Sequence, residues 1–218
     1  MNVLAIETAT DRGGAALLTG QGHSFSALFH APRRHGELLP GCVQAVLSAG
    51  GVSAAELDLV AVDIGPGSFT GLRIGLAFAK GLAQAHGLPL VGVRQTEALG
   101  LPAAAWWPGR VAVWIHDRRQ FVYHAWATRD RAGREAVLEA GEAVKKLQGK
   151  SDVLVVGSGA LAFADLLREA GALPVEAGAF PDPVAVARLG LKRFRAEGAA
   201  EELSPLYLQP PLASEKEA

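Results

Sequence analysis

The sequence predicts an α/β protein of two lobes, each built on the same run of elements. Three observations point there. The order strand, strand, strand, helix, strand, helix reads twice along the 218 residues without letter-for-letter repetition. Half of the residues (50%) are hydrophobic, ample for one globular unit or two small lobes. Between the halves lies "LPAAAWWPG", residues 101–109, a crossing punctuated by Pro and Gly. The expected division is an N-terminal lobe over 1–100 and a C-terminal lobe over 101–218, facing each other across a cleft.

Each element has its own reason. Residues 3–8, 13–19 and 23–29 are short alternating or β-branched runs separated by turn residues, and read as a three-stranded meander. A helix follows over 36–49, where Leu39, Val43, Val46 and Leu47 form an apolar stripe and Pro40 is tolerable in the first turn only. "LVAVDI" at 59–64 is a buried strand, 72–86 a second helix and 89–93 a further strand. In the second half, 110–116 and 120–127 form a hairpin, 134–138 adds a strand and 140–148 a helix. "DVLVVG" at 152–157 is a strand, "ALAFADLLREAG" a helix, and 183–197 the last helix, with "SEKEA" a frayed tail.

The balance of charges narrows the function classes. With Lys+Arg 21 against Asp+Glu 22, the net charge of -1 removes the broad attraction of a self-sufficient nucleic-acid binder, so RNA is expected to be met locally or through a partner. There is no long apolar run and no basic leader ahead of one, which reads as a soluble, cytoplasmic protein without membrane contact. The single Cys42 has no disulfide partner within the chain and reads as a small residue on a buried helix face.

The stretch "GPGSFTGLRIGLAFAKGLA", residues 65–83, opens like a phosphate cradle and continues as a helix. Backbone amides at the helix start, the hydroxyls of Ser68 and Thr70 and the charge of Arg73 would suit an anion, which makes Thr8, Gly65, Gly67, Ser68, Thr70, Gly71 and Arg73 the candidate nucleotide or anion contacts. Generic phosphate motifs nevertheless fail, since Leu72 follows Gly71 where a Walker loop needs Lys, and Thr70 stands where a dinucleotide fold needs its third glycine. The simpler reading is a glycine turn with Thr70 as helix cap. Along the helix, Gly71, Gly75, Ala79 and Ala83 form a strip nearly free of side chains, so that the backbone approaches its own sheet on one side and another helix, of this chain or a second one, on the other.

A metal reading finds little support. His35 has Leu38 and Leu39, not ligands, three and four residues on, and neither His30 nor the pair His116 and His124 fits better. His35 is expected as a first-turn residue, with Glu37 complementing the helix dipole. A two-lobed phosphotransferase would need a second glycine hairpin, where "IHDRRQF" places Arg118, Arg119 and Gln120. Asp117 with these arginines reads as an ion pair in a turn. Arg188, Lys192 and Arg195 on the last helix read as a solvated face, and Trp106 and Trp107 as packing between the lobes.

"LAIETATDRGGAALL", "RRHGELLPGCVQAVL", "GPGSFTGLRIGLAFAKGLA" with "LVGVRQTEAL", "DRRQFVYHA" and "PLYLQ" resemble, in order and spacing, the TsaB (YeaZ) family of tRNA threonylcarbamoyladenosine biosynthesis. The resemblance implies an actin-like fold of the sugar kinase and Hsp70 class. It implies a non-catalytic subunit that supports the paralogue TsaD in N6-threonylcarbamoylation of adenosine 37 of ANN-decoding tRNAs, with the small ATPase TsaE joining. It further implies that helices 36–49 and 72–86 meet TsaD, or a second copy in a homodimer, through His35, Leu39, Val43, Val46, Leu72, Gly75, Leu76, Ala79, Lys80 and Ala83. No cofactor or metal of the chain's own is implied, a nucleotide shared at the complex interface stays open, and tRNA is met through the complex. The family usually has Asp where Glu7 stands and often Ser where Gly36 stands. The competing readings are a metallopeptidase or ATP-dependent enzyme of the same class, and a direct RNA-binding module.

Overall fold

The computed structural model describes residues 1–208; the expected frayed tail and Gln209 of "PLYLQ" lie outside them. The first half forms β1 (Val3–Glu7), β2 (Arg12–Leu18), β3 (Ser24–His30), α1 (His35–Gly50), β4 (Leu59–Asp63), α2 (Phe69–His86), β5 (Leu90–Val93) and α3 (Gln95–Trp106). The second forms β6 (Arg110–His116), β7 (Phe121–Ala127), β8 (Ala136–Glu139), α4 (Ala140–Lys145), β9 (Val153–Val156), α5 (Ser158–Ala162), α6 (Ala164–Glu169), β10 (Leu173–Pro174) and α7 (Pro183–Glu197).

The duplication expected from element order holds in the topology. One sheet runs β3-β2-β1-β4-β5 and the other β10-β9-β6-β7-β8, the same sequence of roles. In both, a central strand pairs antiparallel with the hairpin and parallel with the crossover strand: β1 with β2 and β4, β6 with β7 and β9. Strands β1, β4 and β9 are buried along their whole length, which is why they read as unbroken apolar runs rather than alternating ones.

Helices α1 and α2 cover one face of the first sheet, where Leu39, Val43, Leu76 and Ala79 meet Leu4, Ile6 and Val62. Its other face packs on Val186 and Ala187 of α7 and Ala98 of α3. Leu99, Ala103 and Ala104 of α3 press on β6 and β9 of the second sheet, whose far face is covered by α4, α5 and α6. Helices α3 and α7 therefore lie between the sheets. Helix α3 straddles the expected division at residue 100, and α7 packs on the first sheet. Leu206 N–H also donates to the Ile64 carbonyl, so the chain end returns to the N-terminal lobe.

Other boundaries move for local reasons. Helix α2 begins at Phe69 rather than Leu72, since Ser68 is its N-cap and accepts from Gly71 N–H, leaving Thr70 exposed in the first turn and not the cap. Pro40 stands in the second turn of α1 and offers no N–H to the carbonyl of the exposed Gly36. Within 101–109 the expected crossing is largely helix. Residues 160–171 split into α5 and α6 at Phe163, whose φ is -123°.

Candidate functional site

The ends of β1 and β4 define the middle of the molecule. Glu7 and Asp63 close these adjacent parallel strands, both only 1% exposed. Glu7 accepts from Ala9 N–H at 2.7 Å, and Asp63 from Gly65 N–H at 2.7 Å. Burial, then the Asp63 charge, pushes the Glu7 carboxyl well above the usual carboxylate range. Burial likewise raises Asp63 to about 7, against the lowering by Gly65 N–H and with the Glu97 charge adding to the rise. Asp63 Oδ2 and the amide of the fully buried Gln95 are without hydrogen-bond partners among the described residues. Neither Asp63 nor Gln95 stood out in the sequence, because a strand-end Asp and a helix-start Gln carry no local signature.

The glycine turn then acts as a packing device. A Cβ on Gly71 would lie 2.0 Å from the Thr8 carbonyl oxygen, one on Gly75 2.2 Å from Thr8 Oγ1, and one on Gly67 2.4 Å from the Ala9 carbonyl. Small residues are needed because α2 rests on the loop that leaves β1. Thr8 Oγ1 donates to the Gly71 carbonyl at 2.8 Å, locking the contact.

The seven candidate anion contacts are not brought together. A cleft of about 460 Å³ between the lobes is lined by Gly67 and Ser68, but not by Thr8, Gly65, Thr70, Gly71 or Arg73. Ser68 Oγ is occupied as the helix cap, while Arg73 lies 3.7 Å above the Phe69 ring and donates to Tyr207 Oη at 3.0 Å. Ser68 Oγ and the Arg73 guanidinium are thus engaged within the chain, and the seven residues do not converge on one phosphate position. Across the cleft stand Asp117, Arg118 and Tyr123, with Arg118 Nε 3.6 Å from Asp117 Oδ2, so the expected ion pair in this turn is present. Burial, followed by the Asp117 charge, pushes the Tyr123 hydroxyl up to about 12.

The helix faces need a larger correction. Of the ten residues expected at an interface, nine are buried within the chain: His35, Leu39, Val43, Val46, Leu72, Gly75, Leu76, Ala79 and Ala83. Lys80 alone of the ten is exposed. The Gly71, Gly75, Ala79 and Ala83 strip faces the chain's own first sheet, since close backbone approach to β1 is what its small residues permit. Outward on the same helices stand Gly41 and Ala45 of α1 and Ala77, Lys80 and Gly81 of α2. His35 shares a 2.6 Å hydrogen bond with the Thr10 carbonyl and packs edge-on to Phe29, tying α1 to the β1–β2 turn. Glu37 is paired with Arg34 at 2.6 Å. His116 and His124 do not converge, the one contacting the Arg119 carbonyl and the other accepting from Trp114 Nε1.

With this geometry in place, the comparisons with known proteins are decisive. The chain is 34% identical to the tRNA threonylcarbamoyladenosine biosynthesis protein TsaB of Escherichia coli, over 99% of its own length and 98% of the relative's. It belongs to the TsaB family. Residues 30–188 match the model of the TsaD family, described as tRNA N6-adenosine threonylcarbamoyltransferase. A Pseudomonas aeruginosa structure described as similar to peptidase YeaZ superposes with TM-score 0.80 and 26% identity, covering 95% of this chain and 99% of that one. A Bacteroides thetaiotaomicron protein with an actin-like ATPase fold superposes with TM-score 0.50 at 9% identity, over 86% of this chain and 95% of that one. The two-lobed actin-like architecture is shown by these likenesses.

Proposed function

We propose that this chain takes part in forming threonylcarbamoyladenosine on tRNA as a non-catalytic subunit, docking on a TsaD-type transferase with TsaE joining the assembly. The observation that carries this reading is the end-to-end match to TsaB of E. coli, over 99% of this chain and 98% of that one. Two features of the chain support it. The glycine turn that opens α2 is closed by Ser68 and Thr8, so it serves packing rather than phosphate binding. The outward faces of α1 and α2 carry Gly41, Ala45, Ala77 and Gly81, small residues that let a partner's helices come close. The partner is thus met by residues one helical face away from the buried strip, and two copies would pair through the same faces in a homodimer. In this proposal the chain works in the cytoplasm, and tRNA enters with the transferase.

The test is tRNA threonylcarbamoylation in a mixture of threonylcarbamoyl-adenylate, tRNA, TsaD, TsaE and ATP, with this chain present or omitted. Loss of product on omission, with neither peptide hydrolysis nor ATP turnover by the chain alone, is the expected result. Full product without it, or turnover by the chain alone, overturns the proposal in favour of an enzyme.

A further inference from the structure

A second concave surface lies away from the interlobe cleft, at the end of the second sheet where β6 begins and β7 finishes. It encloses about 600 Å³ and is bordered by two indoles, Trp107 and Trp126, and by three cations, Arg110, Arg129 and Lys150. No carboxylate borders it among the described residues. These five residues come from three stretches of sequence, 107–110, 126–129 and 150, so their convergence is a product of the fold alone.

The rings are fixed in place. Trp107 Nε1 donates to the Asp152 carbonyl at 2.8 Å, and Trp106 stands edge-on against it with centroids 6.0 Å apart. Trp126 is edge-on to His124 at 5.3 Å, and Lys150 Nζ lies 5.7 Å from its centroid. Arg110 and Arg129 are exposed and have no carboxylate partner among the described residues, Arg129 making one long contact, 3.4 Å, to the Ala104 carbonyl. In a chain whose net charge is -1, three cations gathered around two held aromatic rings are a local departure from the average. Planar rings that accept a base face, beside cations that track phosphates, are what single-stranded nucleic acid requires.

We infer that this groove binds single-stranded RNA, an unstacked base lying on Trp107 or Trp126 and its flanking phosphates on Arg110, Arg129 and Lys150. The inference rests on the proposed function only for the choice of RNA. It adds a direct contact to the route through the transferase. The basic stripe of α7, Arg188, Lys192 and Arg195, borders a concavity that no aromatic ring lines among the described residues, and serves as the internal control.

The experiment uses the full chain and a fluorescein-labelled RNA of about 10 nucleotides, a length matched to a short stacking groove. Anisotropy is followed against salt, and indole emission is followed in a Trp106→Phe background with unlabelled RNA. Expected are binding accompanied by quenching, a log–log salt slope of about -2 for three phosphate contacts, and at least a tenfold loss in R110E/R129E/K150E with an unchanged melting curve. R188E/K192E/R195E should bind nearly as the parent does. Equal losses in both triple variants, binding without quenching, absence of binding, or a mononucleotide that competes as strongly as the RNA would each overturn the proposal. Retained need for the chain in the modification assay alongside any of these would leave the functional reading standing while removing the groove.

Discussion

Gly75 sits where α2 crosses the end of β1, and a methyl group there would meet the Thr8 hydroxyl at 2.2 Å. Gly75→Ala is expected to break the Thr8-to-Gly71 hydrogen bond and overpack the junction, costing about 1–3 kcal/mol in a urea melt. Gly81, six residues on, has nothing within 4 Å of its virtual Cβ, so Gly81→Ala should instead stabilise by about 0.5–1 kcal/mol through helix propensity. Equal effects at the two sites would mean that α2 does not rest on β1 as described. The buried carboxyls make a second residue-scale prediction. Asp63 carries a folded-state pKa of about 7 against 3.8 ordinarily, so between these values the folded chain holds a proton that the unfolded chain has released. Stability therefore falls as pH rises from about 4 to about 7 and levels off above, a slope that the raised Glu7 reinforces. Glu97 is a neighbour of opposite sign: burial raises it, but Arg94 N–H and the charges of Arg193 and Arg94 outweigh this, so its contribution is lost below the ordinary carboxylate range instead. Melting temperatures of the parent and Asp63→Asn across pH 5 to 8 should converge as pH falls if the variant removes this slope; parallel curves would refute the assignment. None of this was legible in the sequence, where Glu7, Asp63 and Gln95 are separated by dozens of residues.

Helix α2 shows how far periodicity reaches. The spacing of Gly71, Gly75, Ala79 and Ala83 correctly marks a face of close approach, yet a period of four residues is the same whether the neighbour is a strand of the same chain or a helix of another. The apolar stripe of α1 was legible for the same reason, and its Leu39, Val43 and Val46 indeed face inward. Helix α3 was missed because its residues after Glu97 are all apolar, which leaves no polar face to mark a helical period, and because it contains Pro102. The proposed docking uses the outward side of α1 and α2. Ala45→Arg and Ala77→Arg place a long, helix-compatible cation at exposed positions, so each should leave stability within about 0.5 kcal/mol. Each should also reduce product by at least tenfold in the reconstituted modification assay, and co-elution with the transferase should fail. Undiminished activity in both variants would move the docking surface off these helices.

At the scale of the molecule, one polar network holds the lobes together. Arg94, at the start of α3, donates to Glu97 and to Glu135 of the second lobe at 3.0 Å, and Thr96 donates to the same Glu135 at 2.5 Å. Arg193 of α7 donates to Glu97 at 2.8 Å and to the Gly92 carbonyl. Two carboxylates thus join α3, α7, β5 and the strand entry of the second sheet, with the Glu135 side chain only 4% exposed. Helix α3 already joins the lobes by packing apolar side chains on both sheets, and this network fixes the polar edge of that crossing. Glu135→Gln keeps the shape but removes the charge facing Arg94, and a charged hydrogen bond of this kind contributes about 1.5–3 kcal/mol. The loss should appear first as faster amide exchange in β8 and the start of α3, with β1 and β4 least affected, because these strands are buried between α1 and α2 on one face and α7 on the other. Arg193→Lys is the complementary change: it retains a cation near Glu97 but cannot span Glu97 and the Gly92 carbonyl with the same planar fork, so α7 and β5 should exchange faster while β8 keeps its protection. Uniform acceleration across both lobes in either variant would show that the two sheets unfold as one unit and that the network has no local effect.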